Sequence, residues 1–139
     1  SINMERSESK TKSFKDLVVW QKAHAFVLGV YQQVKQFPDD DQAFVGDMLC
    51  ESVTAIATNI VGGYRKKDRD EKLMFLATAQ DALEESRYYI ILASDLGFMD
   101  SYQADELENS LGEVSYLLNS YAKSIQRRKE EDNRSDTLL

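Results

Sequence analysis

Apolar residues recur at intervals of three and four in four separate stretches of this chain, the spacing of one helix face. In the first, about 14–36, the recurrent positions are Leu17, Trp20, His24, Val27, Tyr31 and Val34. FPDDD interrupts it, because Pro38 cannot extend a helix and Asp39 to Asp41 suit the cap of the next. The second stretch, about 42–61, carries Val45, Leu49, Val53, Ile56 and Ile60. Gly62 and Gly63 follow it as helix-end positions that tolerate positive φ. The third, about 68–96, repeats Leu76, Leu83 and Ile90 with Ala79, Ser86 and Ala93 between them. Alternating large and small residues on one seam lets two helices approach closely. Gly97 reads as the C′ residue, with Phe98 as the apolar contact beyond it. Asp100 or Ser101 caps the fourth stretch, about 101–128, whose stripe is Leu107, Leu111, Val114, Leu118, Tyr121 and Ile125.

Four helices of roughly 20 to 30 residues joined by short connections predict an all-α fold, an antiparallel up-down-up-down four-helix bundle. Residues 14–128 form the bundle, 1–13 a flexible N-terminal segment, and 129–139 a polar tail expected to be disordered. Helices one and three carry apolar residues off their main stripes: Phe26, Leu28 and Val30 on the first, and Phe75, Tyr88, Tyr89 and Ile91 on the third. This surplus predicts either a wide core stripe or a contact between subunits.

The 139 residues carry a net charge of -7. That argues against a grip on nucleic acid spread over the whole surface, and confines any such contact to local basic patches. A single cysteine, Cys50, points to a reducing compartment. No apolar run approaches the roughly 20 residues of a membrane span, and SINMERSESKTKS lacks the apolar core of a signal peptide. The expectation is a cytoplasmic protein without a membrane partner.

No catalytic constellation is readable. A di-metal bundle needs Glu-x-x-His pairs on facing helices, and the only histidine, His24, sits on the expected core stripe as a packing residue. Glu84 and Glu85 are adjacent and point apart. Cys50 has no activating partner and reads as an inert thiol. Gly62-Gly63 with its basic sequel lacks the spacing of a phosphate-binding loop. No metal, cofactor or enzymatic activity is expected.

The remaining chemistry is basic. Arg65, Lys66, Lys67, Arg69 and Lys72 follow the second helix, and Arg127, Arg128 and Lys129 end the fourth. In an antiparallel bundle both clusters lie at one end, where they can combine into a phosphate-facing surface. Asp68, Asp70, Glu71 and Glu130 to Asp132 are interleaved, and the competing reading is a solvated end with local ion pairs.

FKDLVVWQKAHAFVLGVYQQVKQFP at 14–38, TAIATNIVGGY at 54–64 and KLMFLATAQDALEESRYYIILASDLGFM at 72–99 resemble the 23S rRNA intervening-sequence-protein family. The accessory variability proteins of diversity-generating retroelements are related to that family. The matching positions are Leu17, Trp20, Asn59, Ile60, Phe75, Leu76 and Ala79, and the resemblance implies that they are architectural. It also implies assembly into a homopentameric barrel and, for the retroelement branch, partnership with a reverse transcriptase and RNA or DNA. The chain departs from the family at Cys50-Glu51, where two basic residues are usual, at Ala55-Ile56-Ala57 in place of Ser-Ile-Pro, and at Gly62 in place of an acid.

The expected function is that of a non-enzymatic, oligomeric accessory or adaptor bundle in a nucleic-acid context, with the eight basic residues on phosphate. The alternative is an acidic protein-binding scaffold with no nucleic-acid role, and an enzyme or small-molecule binder ranks last.

Overall fold

The computed structural model describes residues 11–138, which are helical throughout apart from short connections. The four helices are α1 (Val18–Val34), α2 (Asp47–Tyr64), α3 (Arg69–Asp95) and α4 (Ser101–Leu138). A 3₁₀ turn, Phe14–Asp16, precedes α1. One turn at Asp39–Asp41 and a π-helical segment, Gln42–Gly46, lead into α2. Each helix packs on its sequence neighbours and α4 closes on α1, which is the up-down-up-down order expected. Helices α1 and α3 are therefore diagonal.

The first helix is broken where one continuous helix was expected. Ser13 accepts from the Lys15 amide and Asp16 from the Lys12 amide, so side chains hold the turn that a helix would otherwise continue through. Leu17 is extended and fully buried. The core stripe of α1 also differs. Val19, Ala23, Phe26, Val30 and Val34 face inward. Of the expected stripe, Leu17 and Val34 are buried, Trp20 and Val27 are half-buried, and His24 and Tyr31 are exposed. Two neighbouring apolar stripes satisfy helical spacing equally, and packing between α2 and α4 selects the one centred on Phe26.

Helix α2 buries Val45, Leu49, Val53, Ile56 and Ile60 as its spacing dictates. Phe44–Tyr64 is long and apolar enough to span a membrane by length and composition, contrary to the reading that no run approaches that size. Ala, Gly and Thr dilute that run in the sequence, and the large apolar side chains of its stripe lie in the bundle core. Helix α2 also continues through Gly62 and Gly63 to Tyr64. Neither glycine has positive φ. They serve a close approach instead: a Cβ on Gly62 would lie 2.6 Å from the Phe75 ring, and one on Gly63 would lie 3.1 Å from Phe75 Cβ and 3.4 Å from the Lys72 carbonyl oxygen.

Helix α3 starts at the Asp68 cap, which accepts from the Glu71 amide at 3.0 Å. Its seam of Leu76, Ala79, Leu83, Ser86, Ile90 and Ala93 is buried. At mid-bundle Ser86 Oγ sits 3.0 Å from Ser52 Oγ, and Ala82 and Leu49 carbonyls accept from the two hydroxyls. Helix α3 ends as expected: Gly97 has φ +82°, Phe98 N donates to Ala93 O at 2.9 Å, and Gly97 N donates to Ser94 O at 3.0 Å. Phe98 packs on Phe37 with ring centroids 5.6 Å apart.

Asp100 and Gln103 cap α4 reciprocally, each side chain accepting from the other's amide. The stripe from Leu107 to Ile125 is buried. The helix then runs on to Leu138, where a disordered tail was expected after 128. Contacts from α3 hold the extension: Arg69 pairs with Asp132 and Asp70 with Lys129. The expected N-terminal segment 1–13 falls mostly outside the described residues, but Thr11 Oγ1 lies 2.7 Å from Tyr64 Oη.

The glycine contact is directly testable. A helical Gly→Ala change ordinarily gains about 0.5–1 kcal/mol, whereas overpacking costs about 1–3 kcal/mol. Gly62→Ala is expected to lower stability in urea unfolding. In a Phe75→Ala background the same change is expected to be neutral or stabilising.

Candidate nucleic-acid interface

Chain direction places the basic clusters together. Helix α2 ends, α3 begins and α4 returns at one end of the bundle, and the pairs Arg69–Asp132 and Asp70–Lys129 tie the last two. Acids dominate the other end. Asp39 to Asp41 and Asp47 precede or open α2, and no basic residue occurs from Phe37 to Tyr64. Helix α4 carries Asp105, Glu106 and Glu108 in its second turn, and has no basic residue from Ser101 to Ala122. The net charge of -7 is thus concentrated away from the basic end.

The eight basic residues occupy different settings there. Lys72 is buried, and its Nζ donates to the carbonyls of Gly63 at 3.2 Å and Tyr64 at 2.8 Å. It lies over the Tyr64 ring, 5.6 Å from the centroid. A lysine from α3 therefore satisfies the last carbonyls of α2, where cations are favoured. Lys66 lies over Phe75 at 5.3 Å. Arg69 and Lys129 are in the two ion pairs, and the Asp70 hydrogen bond and charge raise the Lys129 pKa above its usual value. Arg65 and Lys67 are exposed, as is Arg127, while Arg128 is half-buried. Lys67, Asp68, Arg69, Asp70, Lys129, Asp132 and Asn133 line an open cleft of about 370 Å³. Its walls alternate in sign.

The residues expected to be architectural differ in their settings. Leu17, Ile60, Leu76 and Ala79 are buried, and Phe75 is half-buried over Gly62. Asn59 is half-buried and donates to the Ala55 carbonyl at 2.8 Å, a contact within its own helix. Trp20 is half-buried, meets Phe14 edge-on at 5.1 Å, and stacks on His24 at 5.0 Å with 7° between the planes. His24 is exposed rather than packed in the core. Sequence reasoning missed this pair because it placed both residues on the core stripe. The i, i+4 spacing that joins them was visible.

Burial, and secondarily Asp47, push the Cys50 thiol pKa up, away from the reactive thiolate. Among the described residues no group of three His, Cys, Asp or Glu is placed to hold a metal ion.

Comparison with solved structures finds the same fold. A crystal structure of a protein of unknown function from the S23 ribosomal protein family of Bacteroides thetaiotaomicron superposes with a TM-score of 0.69 at 21% identity, covering 76% of this chain and 99% of the other. No curated protein matches the chain. The 23S rRNA-intervening sequence protein family matches residues 15–120, a span that takes in α1, α2, α3 and the bundled part of α4. With three-quarters of its length matched, the chain belongs to the 23S rRNA-intervening sequence protein family.

Proposed function

We propose that this protein is a non-enzymatic, oligomeric accessory or adaptor bundle that contacts RNA or DNA end-on, through the α2–α3 turn and the last turns of α4. The observation that carries this reading is the segregation of charge along the bundle axis. A helix of about 25 residues is about 38 Å long, and the Debye length at physiological ionic strength is about 8 Å. The acidic end lies several screening lengths away, so the local balance at the basic end governs a polyanion there. Arg65, Lys66 and Lys67 are the principal phosphate contacts in this reading, with Arg127 and Arg128 beside them. Arg69 and Lys129 join by exchanging a carboxylate for a phosphate. Exposed ion pairs contribute only about 0–1 kcal/mol, so the exchange costs little. Lys72 stays with the fold.

Self-association belongs to the same proposal. Leu28 and Tyr31 on α1 are 55% and 45% exposed, and Tyr88 and Ile91 on α3 are 58% and 44% exposed. These helices are diagonal, so their exposed faces point in opposite directions. Contact between the α1 face of one copy and the α3 face of the next is heterologous, and closes into a ring when the rotation allows. The resemblance adds a homopentameric barrel and a reverse-transcriptase partner to this proposal. The same apolar faces favour the second reading, an acidic scaffold that binds protein alone.

Two measurements test the proposal. Fluorescence anisotropy is expected to detect RNA or DNA binding at low salt, with affinity falling steeply as salt rises. The double reversal Arg65→Glu/Lys67→Glu is expected to weaken it at least about tenfold. Lys72→Met is expected to cost about 1–3 kcal/mol of stability while leaving the affinity of the folded protein unchanged. Absence of binding at low salt rejects the nucleic-acid role and leaves the scaffold. In light scattering, a stable species near the 15.9 kDa chain mass at micromolar concentration rejects the oligomer.

A further inference from the structure

The aromatic stack at the start of α1 is left partly open by packing. Phe14, Trp20 and His24 form a short ladder of rings, built by the 3₁₀ turn folding Phe14 onto Trp20 and by the i, i+4 spacing of Trp20 and His24. A ring that only filled the core would be covered, yet His24 at the outer end of this ladder is exposed. The ladder lies at the basic end, because the 3₁₀ turn packs against the end of α2 and Thr11 reaches Tyr64. Lys12 and Lys15 are exposed on the approach to α1, and Arg65 is exposed at the end of the adjoining helix. The nearest acid in sequence, Asp16, is held by the Lys12 amide.

We infer that the Trp20–His24 ladder is a stacking platform for the unpaired bases of a single-stranded nucleic acid whose phosphates run over Arg65 and its basic neighbours. This rests on the nucleic-acid reading above and narrows it to single strands. Positive charge beside an open aromatic face is the pairing that single-strand binders use: the groove follows the backbone while any base presents a π-face to the rings. A duplex keeps its bases stacked on each other and has none to offer. An apolar protein surface would cover the rings but has no need of the cations at this end of the bundle, so charge complementarity selects the polyanion.

Trp20 is the only tryptophan in the chain, so its emission reports on the platform alone. The full-length protein is titrated with a single-stranded thymidine homopolymer, a duplex of equal length, and inorganic polyphosphate, with binding followed independently by anisotropy or competition. The homopolymer is expected to quench Trp20, and duplex and polyphosphate to bind without quenching. His24→Ala is expected to weaken the homopolymer about fivefold or more and leave polyphosphate unaffected, and His24→Phe to restore binding. If the homopolymer binds with no change in Trp20 emission and no loss in His24→Ala, the platform is rejected and the nucleic-acid role stands. Equal quenching by polyphosphate also rejects it, since that probe has no bases. If none of the three polyanions binds, the nucleic-acid reading itself fails.

Discussion

The close approach of α2 and α3 sets the position of everything at the basic end. It depends on side chains that are absent or small. Gly62 and Gly63 leave room for Phe75 and the Lys72 backbone, and Ser52 meets Ser86 further along. Each serine hydroxyl also has a carbonyl of its own helix within reach, so the approach buries no unsatisfied hydroxyl there. Lys72 completes the joint by donating to the last carbonyls of α2. The joint fixes where the turn carrying Arg65, Lys66 and Lys67 leaves the bundle. It therefore links a packing constraint in the core to the geometry of a charged surface.

Charge is segregated along the long axis of this molecule. Acids lie in the first two turns of α2 and α4, while basic residues gather where α2 ends, α3 begins and α4 finishes. The interleaved acids at the basic end have a structural part. Asp68 caps α3, and Asp70 and Asp132 pair with Lys129 and Arg69 across α3 and α4. Such exposed pairs contribute little energy individually. They also supply the contacts along which α4 continues beyond the bundle.

Much of the fold was legible in particular residues. The stripes read on α2, α3 and α4 are the ones that packing buries. Gly97 and Asp100 marked boundaries through chemistry that works locally: a residue free to take positive φ, and a carboxylate accepting from a nearby amide. Gly62 and Gly63 were legible as special positions, but their role was not. A glycine required by positive φ and one required by a neighbouring ring look identical in a sequence. The candidate site was legible as a convergence of basic residues, because chain direction alone brings the clusters together. The burial of Lys72 was not, since it depends on a carbonyl pair eight and nine residues away.

The sequence by itself determined the number of helices, three of their four core faces, the glycine end of α3, the cap of α4 and the end at which the cations meet. These follow from periodicity and short-range hydrogen bonding, which act within a few residues. Tertiary structure decided which of two apolar stripes on α1 turned inward, and so sent His24 to the surface on top of Trp20. It also decided that α4 continues past 128, because the acids that hold the extension lie on two helices far apart in the chain. Each of these outcomes depends on surfaces meeting across the bundle, and no local rule chooses between alternatives that are equally good helices until a neighbour packs against one of them.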